Sequence, residues 1–123
     1  MVPDAAGSFH YVRPLATLEP TAIRLGLPVN VQYGYNDVAG IAAELTAAKY
    51  GSSTVFIAWE HQYLVTIVQE LMNRYNSGVT VPAWTFGDYD SLYVVRLTNT
   101  GGTITAQFTQ EHEGLNNLPT SCQ

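Results

Sequence analysis

His61 combines a reactive side chain with a position where ligands collect. It closes the run Ser53-Thr54-Val55-Phe56-Ile57-Ala58-Trp59-Glu60-His61, and the apolar stretch 54–59 reads as a buried strand bounded by Gly and Ser. In open α/β sheets, chemistry gathers just past the carboxyl ends of such strands. An imidazole there can serve as general acid or base, or as a phosphate ligand. The plainer alternative is a histidine hydrogen-bonded at a strand end. Glu60 is a candidate proton donor as well. Alternation would aim it away from His61 if the strand continued that far, and an orienting or solvent-facing carboxylate is the favoured reading. Arg13 stands before Pro14, where a helix is expected to begin. A guanidinium beside free helix N–H groups can hold a phosphate bidentately, though a lone arginine there is also an ordinary surface charge. Asp37 could donate a proton to a leaving group, but a helix N-cap explains it more simply. Asp88 and Asp90 have a metal-ligand spacing without companion ligands, so they read as turn residues. His10 and His112 lie in weakly patterned segments and receive no role.

The elements that must hold these residues follow from spacing. Residues 1–12 read as a loop. A helix is expected over Arg13–Gly26: Pro14 suits the first turn, Gly26 the stop, and Pro28 lies just beyond. Pro20 should kink that helix or divide it. Val29-Asn30-Val31-Gln32-Tyr33 alternates like a short strand. After Asp37, the residues Val38, Ile41, Ala42, Leu45 and Ala48 form one apolar helical stripe that Gly51 ends. A third helix is expected from about Tyr63 to Tyr75, burying Leu64, Ile67, Val68, Leu71 and Met72 and stopping at Asn76-Ser77-Gly78. Val81 to Asp90 has turn chemistry. Leu92–Leu97 and Thr103–Thr109 read as strands joined through Asn99-Thr100-Gly101-Gly102, and the chain is irregular from Gln110. This order implies one α/β layered domain over 1–123 with an antiparallel edge.

Composition limits the partners. The chain has 123 residues, 46% of them apolar and only 12% charged, the charged share being about half the usual one. With eight tyrosines as well, this suggests two-sided burial or a missing neighbour. A net charge of −5 argues against a nucleic-acid backbone, since no basic stripe exists to release counterions. A small anion remains compatible, because it responds to local donors. No apolar run reaches the length of about 18 residues that a membrane span needs. The first residues lack a signal-peptide pattern, which leaves a cytoplasmic protein or an exported parent without its front end. Cys122 is the single cysteine, either a free tail thiol or a bridge to a cysteine outside the chain. No cofactor is implied: glycine-rich phosphate loops, Gly-x-Ser-x-Gly elbows and paired histidines at helical spacing are all absent.

Three segments together resemble the histidine phosphatase superfamily, which includes the phosphoglycerate mutases. Arg13-Pro14-Leu15-Ala16-Thr17 followed by Leu25-Gly26-Leu27-Pro28-Val29 is similar to the family's second motif. Val55-Phe56-Ile57-Ala58-Trp59-Glu60-His61 is similar to the late strand that delivers its second pocket histidine. Pro82-Ala83-Trp84, Asp88-Tyr89-Asp90-Ser91 and Val94-Val95 look like the segment leading into its last strands. The resemblance runs from about Tyr11 to Leu97. It implies an incomplete three-layer phosphoglycerate mutase-like sandwich, with a mixed sheet and an antiparallel C-terminal hairpin. It further implies that Arg13 and His61 bind phosphate, and that the partner is a phosphorylated small molecule or phosphate. The family's acid often comes from a loop near the position of Asp37; phytase-like relatives place it just after the late histidine, where Gln62 stands. One departure outweighs these matches. The family's Arg-His-Gly-type motif carries the histidine that is phosphorylated, and no Arg-His pair occurs in this sequence. The expectation is therefore the C-terminal portion of a phosphomonoesterase, truncated at its N-terminus, with a half pocket and no activity alone. The loss of a central strand would leave unpaired edges and favour self-association. The alternative is a non-catalytic interaction module that uses an exposed sheet edge.

Overall fold

In order along the chain, a computed structural model shows helices α1 (Val12–Leu25) and α2 (Val38–Leu45), a 3-10 turn (Ala48–Tyr50) and helix α3 (His61–Arg74). Strands β1 (Ser91–Thr100) and β2 (Thr103–His112) follow. It describes Met1, residues 12–119 and residue 121. The N-terminal loop reading with His10, and the reading of Cys122, lie outside the described residues. The fold thus mixes helices with a two-stranded antiparallel sheet. The chain divides into two compact units, Met1–Ile67 and Val68–Gln123.

In the first unit, α1 runs through Pro20 as one helix rather than dividing there. Pro14 falls in the first turn, where its missing N–H has no intrahelical carbonyl to meet. The helix ends as its glycine requires. Gly26 takes a φ of 64°, and the Leu27 N–H donates back to the Ala22 carbonyl at 2.9 Å, the closing bond of a left-handed C-terminal cap. α2 buries Ile41 and Ala42 completely, two members of the apolar stripe read from spacing.

The expected strands at 29–33 and 54–59 form no ladder among the described residues. At 29–33 a local bond takes over, with Asn30 Oδ1 accepting the Gln32 N–H at 3.0 Å, a side-chain turn that competes with strand pairing. At 54–59 the shortage is of partners. The Ala58 N–H donates to the Met1 carbonyl at 2.9 Å, and the Met1 nitrogen donates to the Phe56 carbonyl. Those two bonds form a parallel bridge between Met1 and Ile57, and among the described residues it is not extended. The described sheet is therefore antiparallel throughout, and the mixed sheet expected from the sequence is not seen among those residues.

In the second unit, Val68, Leu71, Met72 and Val81 are buried. Gln69 holds the segment after α3: its Nε2 donates to the Val79 carbonyl at 3.0 Å and its Oε1 accepts the Val81 N–H at 2.8 Å. A side-chain amide thus offers residues 79–81 the donor and acceptor that a neighbouring strand would. Pairing of β1 with β2 runs from Ser91 opposite His112 to Thr100 opposite Thr103. Gly101 and Gly102 have φ values of 60° and 89°, so the expected hairpin turn is of the type that needs positive φ twice. One face carries Trp84, Tyr93 and Phe108, with ring centroids 4.9 and 5.2 Å apart in that order.

Asp88 closes the open end of the hairpin. Its Oδ1 accepts the N–H groups of Asp90 and Ser91 at 2.9 and 3.1 Å, and Oδ2 accepts the Ser91 hydroxyl at 2.6 Å. Asn116 Nδ2 adds a donor at 3.2 Å. These bonds, the Ser91 hydroxyl foremost, lower the Asp88 carboxyl to about 2 from an ordinary 3.8. Asp88 and Asp90 serve the turn before β1 through these bonds, and no cluster of three potential metal ligands exists among the described residues. Because the folded value is depressed, the unfolded chain binds the proton more readily. The stabilisation is therefore complete above pH 4 and is lost as pH falls through about 2. Thermal midpoints of Asp88→Asn measured across that window should decline less steeply than those of the parent chain. Parallel declines would remove Asp88 as the group responsible.

Candidate functional site

The chain passes from extended to helical backbone between Glu60 and His61, and this decides what both side chains do. α3 begins at His61, two residues earlier than the periodicity suggests, so Glu60 is the capping residue. Its Oε2 accepts the N–H groups of Gln62 and Tyr63, both at 3.0 Å. The Glu60 carbonyl accepts the Leu64 N–H at 2.8 Å. The other carboxylate oxygen, Oε1, lies 2.7 Å from His61 Nδ1. Alternation would aim Glu60 away from His61 only if the strand continued that far, and the backbone turns helical at His61 instead. A capping carboxylate folds back over the first helical turn, and here it meets the imidazole there.

Glu60 is therefore an orienting group. Its two oxygens are engaged by two backbone donors and a ring nitrogen. The Glu60 side chain is 16% exposed and that of His61 38%, so the carboxylate is sheltered while the ring reaches solvent. With Nδ1 facing Glu60, Nε2 is the nitrogen left to meet a ligand, the orienting logic seen when a carboxylate holds a metal-binding histidine. The corner is anchored from below. Trp59 is buried, its indole N–H donates to the Tyr35 carbonyl at 2.8 Å, and Tyr35 meets Tyr63 edge-to-face at 5.4 Å.

Arg13 lies in the first turn of α1 and is exposed. No ion pair among the described residues holds its guanidinium, and its carbonyl accepts the Thr17 hydroxyl at 3.0 Å. No described contact joins Arg13 to His61. Asp37 is the N-cap of α2: Oδ1 accepts the Gly40 N–H at 2.9 Å. A Cβ on Gly40 would crowd the Asp37 carboxylate, which would have to shift to keep its capping bond. The proton-donor reading of Asp37 has no contact with His61 to support it.

Spacing did not foretell a second polar group in this unit. Glu44 Oε1 receives the Lys49 ammonium at 2.6 Å and the Tyr50 hydroxyl at 2.7 Å. These two bonds, Lys49 first, hold the Glu44 carboxyl below the ordinary range, and Tyr33 adds a further one. The Lys49 and Tyr50 values rise in return, each chiefly through its bond to Glu44. In sequence, only the turn from Glu44 to Tyr50 hints at this arrangement. A cavity of about 580 Å³ lies in the same unit between α1, residues 27–32 and residues 53–56. Neither Arg13 nor His61 lines it.

Compared with protein-family models, with curated proteins and with solved structures, the chain has no match. No helix among the described residues is long and apolar enough to cross a membrane. Asp37→Ala should cost about 1 kcal/mol through loss of the cap, and Asp37→Asn much less, as read by urea denaturation. Equal losses in the two variants would show that the charge, and not the capping bond, is what α2 needs.

Proposed function

We propose that this chain carries half of a phosphate pocket of histidine phosphatase type, in which His61 and Arg13 donate to phosphoryl oxygens. The observation that carries the reading is the Glu60–His61 pair: a carboxylate fixes Nδ1 at 2.7 Å while the ring stays accessible. When protonated, such an imidazole offers its Nε2–H to an anion, and its charge is balanced by Glu60 when no ligand is present. A guanidinium with no ion pair among the described residues supplies planar bidentate donors.

The two cations belong to elements that share one cavity, Arg13 to α1 and His61 to the end of the segment that begins at Ser53. Leu18, Ala22 and Leu25 of α1 line the same cavity as Ser53 and Phe56. Arg13 lies back along α1 from that cavity and His61 lies onward along the chain. A three-layer phosphoglycerate mutase-like sandwich belongs to the same proposal, and the parallel bridge at Ile57 is what supports it.

Covalent phosphoryl transfer needs an imidazole in line with the leaving oxygen, and separate donors spread over the other oxygens. Arg13 and His61 meet the second need. Glu60 and Asp37 are both committed as caps, and no Arg-His pair exists to supply the first. The polypeptide therefore binds a phosphomonoester or phosphate without turning it over, while an intact parent would hydrolyse phosphomonoesters through a phosphohistidine.

Titration calorimetry with orthovanadate or phosphate should show binding that falls about tenfold in Arg13→Ala and again in His61→Ala, the loss expected for one charge-assisted hydrogen bond each. Unchanged binding in either variant removes that residue from the pocket. With p-nitrophenyl phosphate the chain should show background turnover only. Robust turnover abolished by His61→Ala would overturn the claim of incompetence.

A further inference from the structure

A chain of contacts ties the first turn of α3 to the backbone at Tyr35. The buried Trp59 donates its indole N–H to the Tyr35 carbonyl at 2.8 Å. The Tyr35 ring meets the Tyr63 ring edge-to-face, with centroids 5.4 Å apart and planes at 83°. Tyr63 gives its N–H to Glu60 Oε2 at 3.0 Å, and the other oxygen of that carboxylate lies 2.7 Å from His61 Nδ1. Helix ends fray, and a carboxylate released from its cap would leave the neighbouring imidazole free to turn over. Here the third residue of the helix is pinned by its ring, so the Glu60 cap persists and Oε1 stays on Nδ1. An ionised carboxylate can only accept, so the proton of the neutral His61 ring sits on Nδ1. An unconstrained histidine side chain favours the opposite tautomer, with the proton on Nε2.

We infer that Tyr63, set in place by Tyr35, is a positioning residue for His61: it holds the ring in the Nδ1–H tautomer, so that Nε2 meets a ligand as an acceptor whenever the ring is neutral. Neither tyrosine has to touch that ligand. The consequence is a choice between oxyanions. A bare Nε2 accepts from the P–OH of hydrogen phosphate. Sulfate carries no proton at the same pH, and sets an oxygen lone pair against the nitrogen lone pair. Once the ring is protonated, Nε2–H donates to either anion and the choice disappears. The ligand part rests on the phosphate reading above; the tautomer part does not.

The test is proton–nitrogen correlation NMR of the whole chain, which tells a protonated ring nitrogen from a bare one. The chain has three histidines, and the His61 signals are those missing in His61→Gln. With the ring neutral, the parent chain should show Nδ1 protonated and Nε2 bare. Glu60→Gln should reverse this, because its amide oxygen still caps α3 while its NH2 group donates to Nδ1. Tyr63→Leu should shift the tautomer ratio about fivefold toward Nε2–H, the worth of one aromatic pair, and Tyr63→Phe should restore it. Tyr35→Leu, which leaves α3 unaltered, should match Tyr63→Leu, with unchanged Ile41 and Ala42 methyl shifts showing that the fold is kept. Inorganic phosphate should move the Nε2 signal at about tenfold lower concentration than sulfate, one hydrogen bond made against one lost. That difference should vanish on acidification and in Glu60→Gln. The inference is overturned by a parent ring that is mainly Nε2–H, by ratios unchanged in both leucine variants, by equal loss in Tyr63→Phe, or by sulfate matching phosphate at the neutral ring. If the tautomer shifts as expected and neither anion moves Nε2, the phosphate reading fails and the positioning role of Tyr63 stands.

Discussion

Backbone groups that leave regular structure must find partners, and in this chain side chains repeatedly supply them. Glu60 takes two amides at the start of α3, Asp37 takes one at the start of α2, Gln69 serves both polar groups of the segment behind it, and Asp88 gathers two amides and a hydroxyl at the hairpin mouth. A buried unpaired amide costs about as much as a lost hydrogen bond. That cost applies where the bonds are part-buried, at Tyr63, Val81, Asp90 and Ser91, and falls away at the exposed amides of Gly40 and Gln62.

The same economy explains the candidate site. Glu60 is recruited to cap a helix, and its second oxygen then orients His61. A structural requirement thus leaves one imidazole nitrogen facing solvent on a rigid first turn, held from below by Trp59, Tyr35 and Tyr63. Whether such a ring binds anions depends on what stands opposite it. Arg13 is the cation of the same unit that the family resemblance nominates, and the shared cavity between α1 and residues 53–56 is what relates the two elements.

Where patterning is local, sequence and structure agree. The stripe Ile41 and Ala42, the buried positions Ile67, Val68, Leu71 and Met72, the Gly26 stop, and the paired glycines of the hairpin each depend on spacing or on φ. Both are properties of a few adjacent residues. The strands expected at 29–33 and 54–59 failed for a common reason: a strand is defined by its neighbour, and hydrophobic alternation says nothing about whether that neighbour is present. At 29–33 Asn30 offered a local bond instead. At 54–59 Met1 pairs with Ile57 alone among the described residues.

The amino-acid sequence by itself determined the helices, the hairpin and its turn, the acidic balance, the lack of an Arg-His pair, and the presence of His61 beside Glu60. Each is set by residue type or by contacts within one turn of chain. The tertiary structure alone decided that Glu60 faces His61, because the point at which extended backbone becomes helix shifts which way a side chain projects. It also decided that Asn116 reaches Asp88 and that Tyr33 and Tyr50 converge on Glu44.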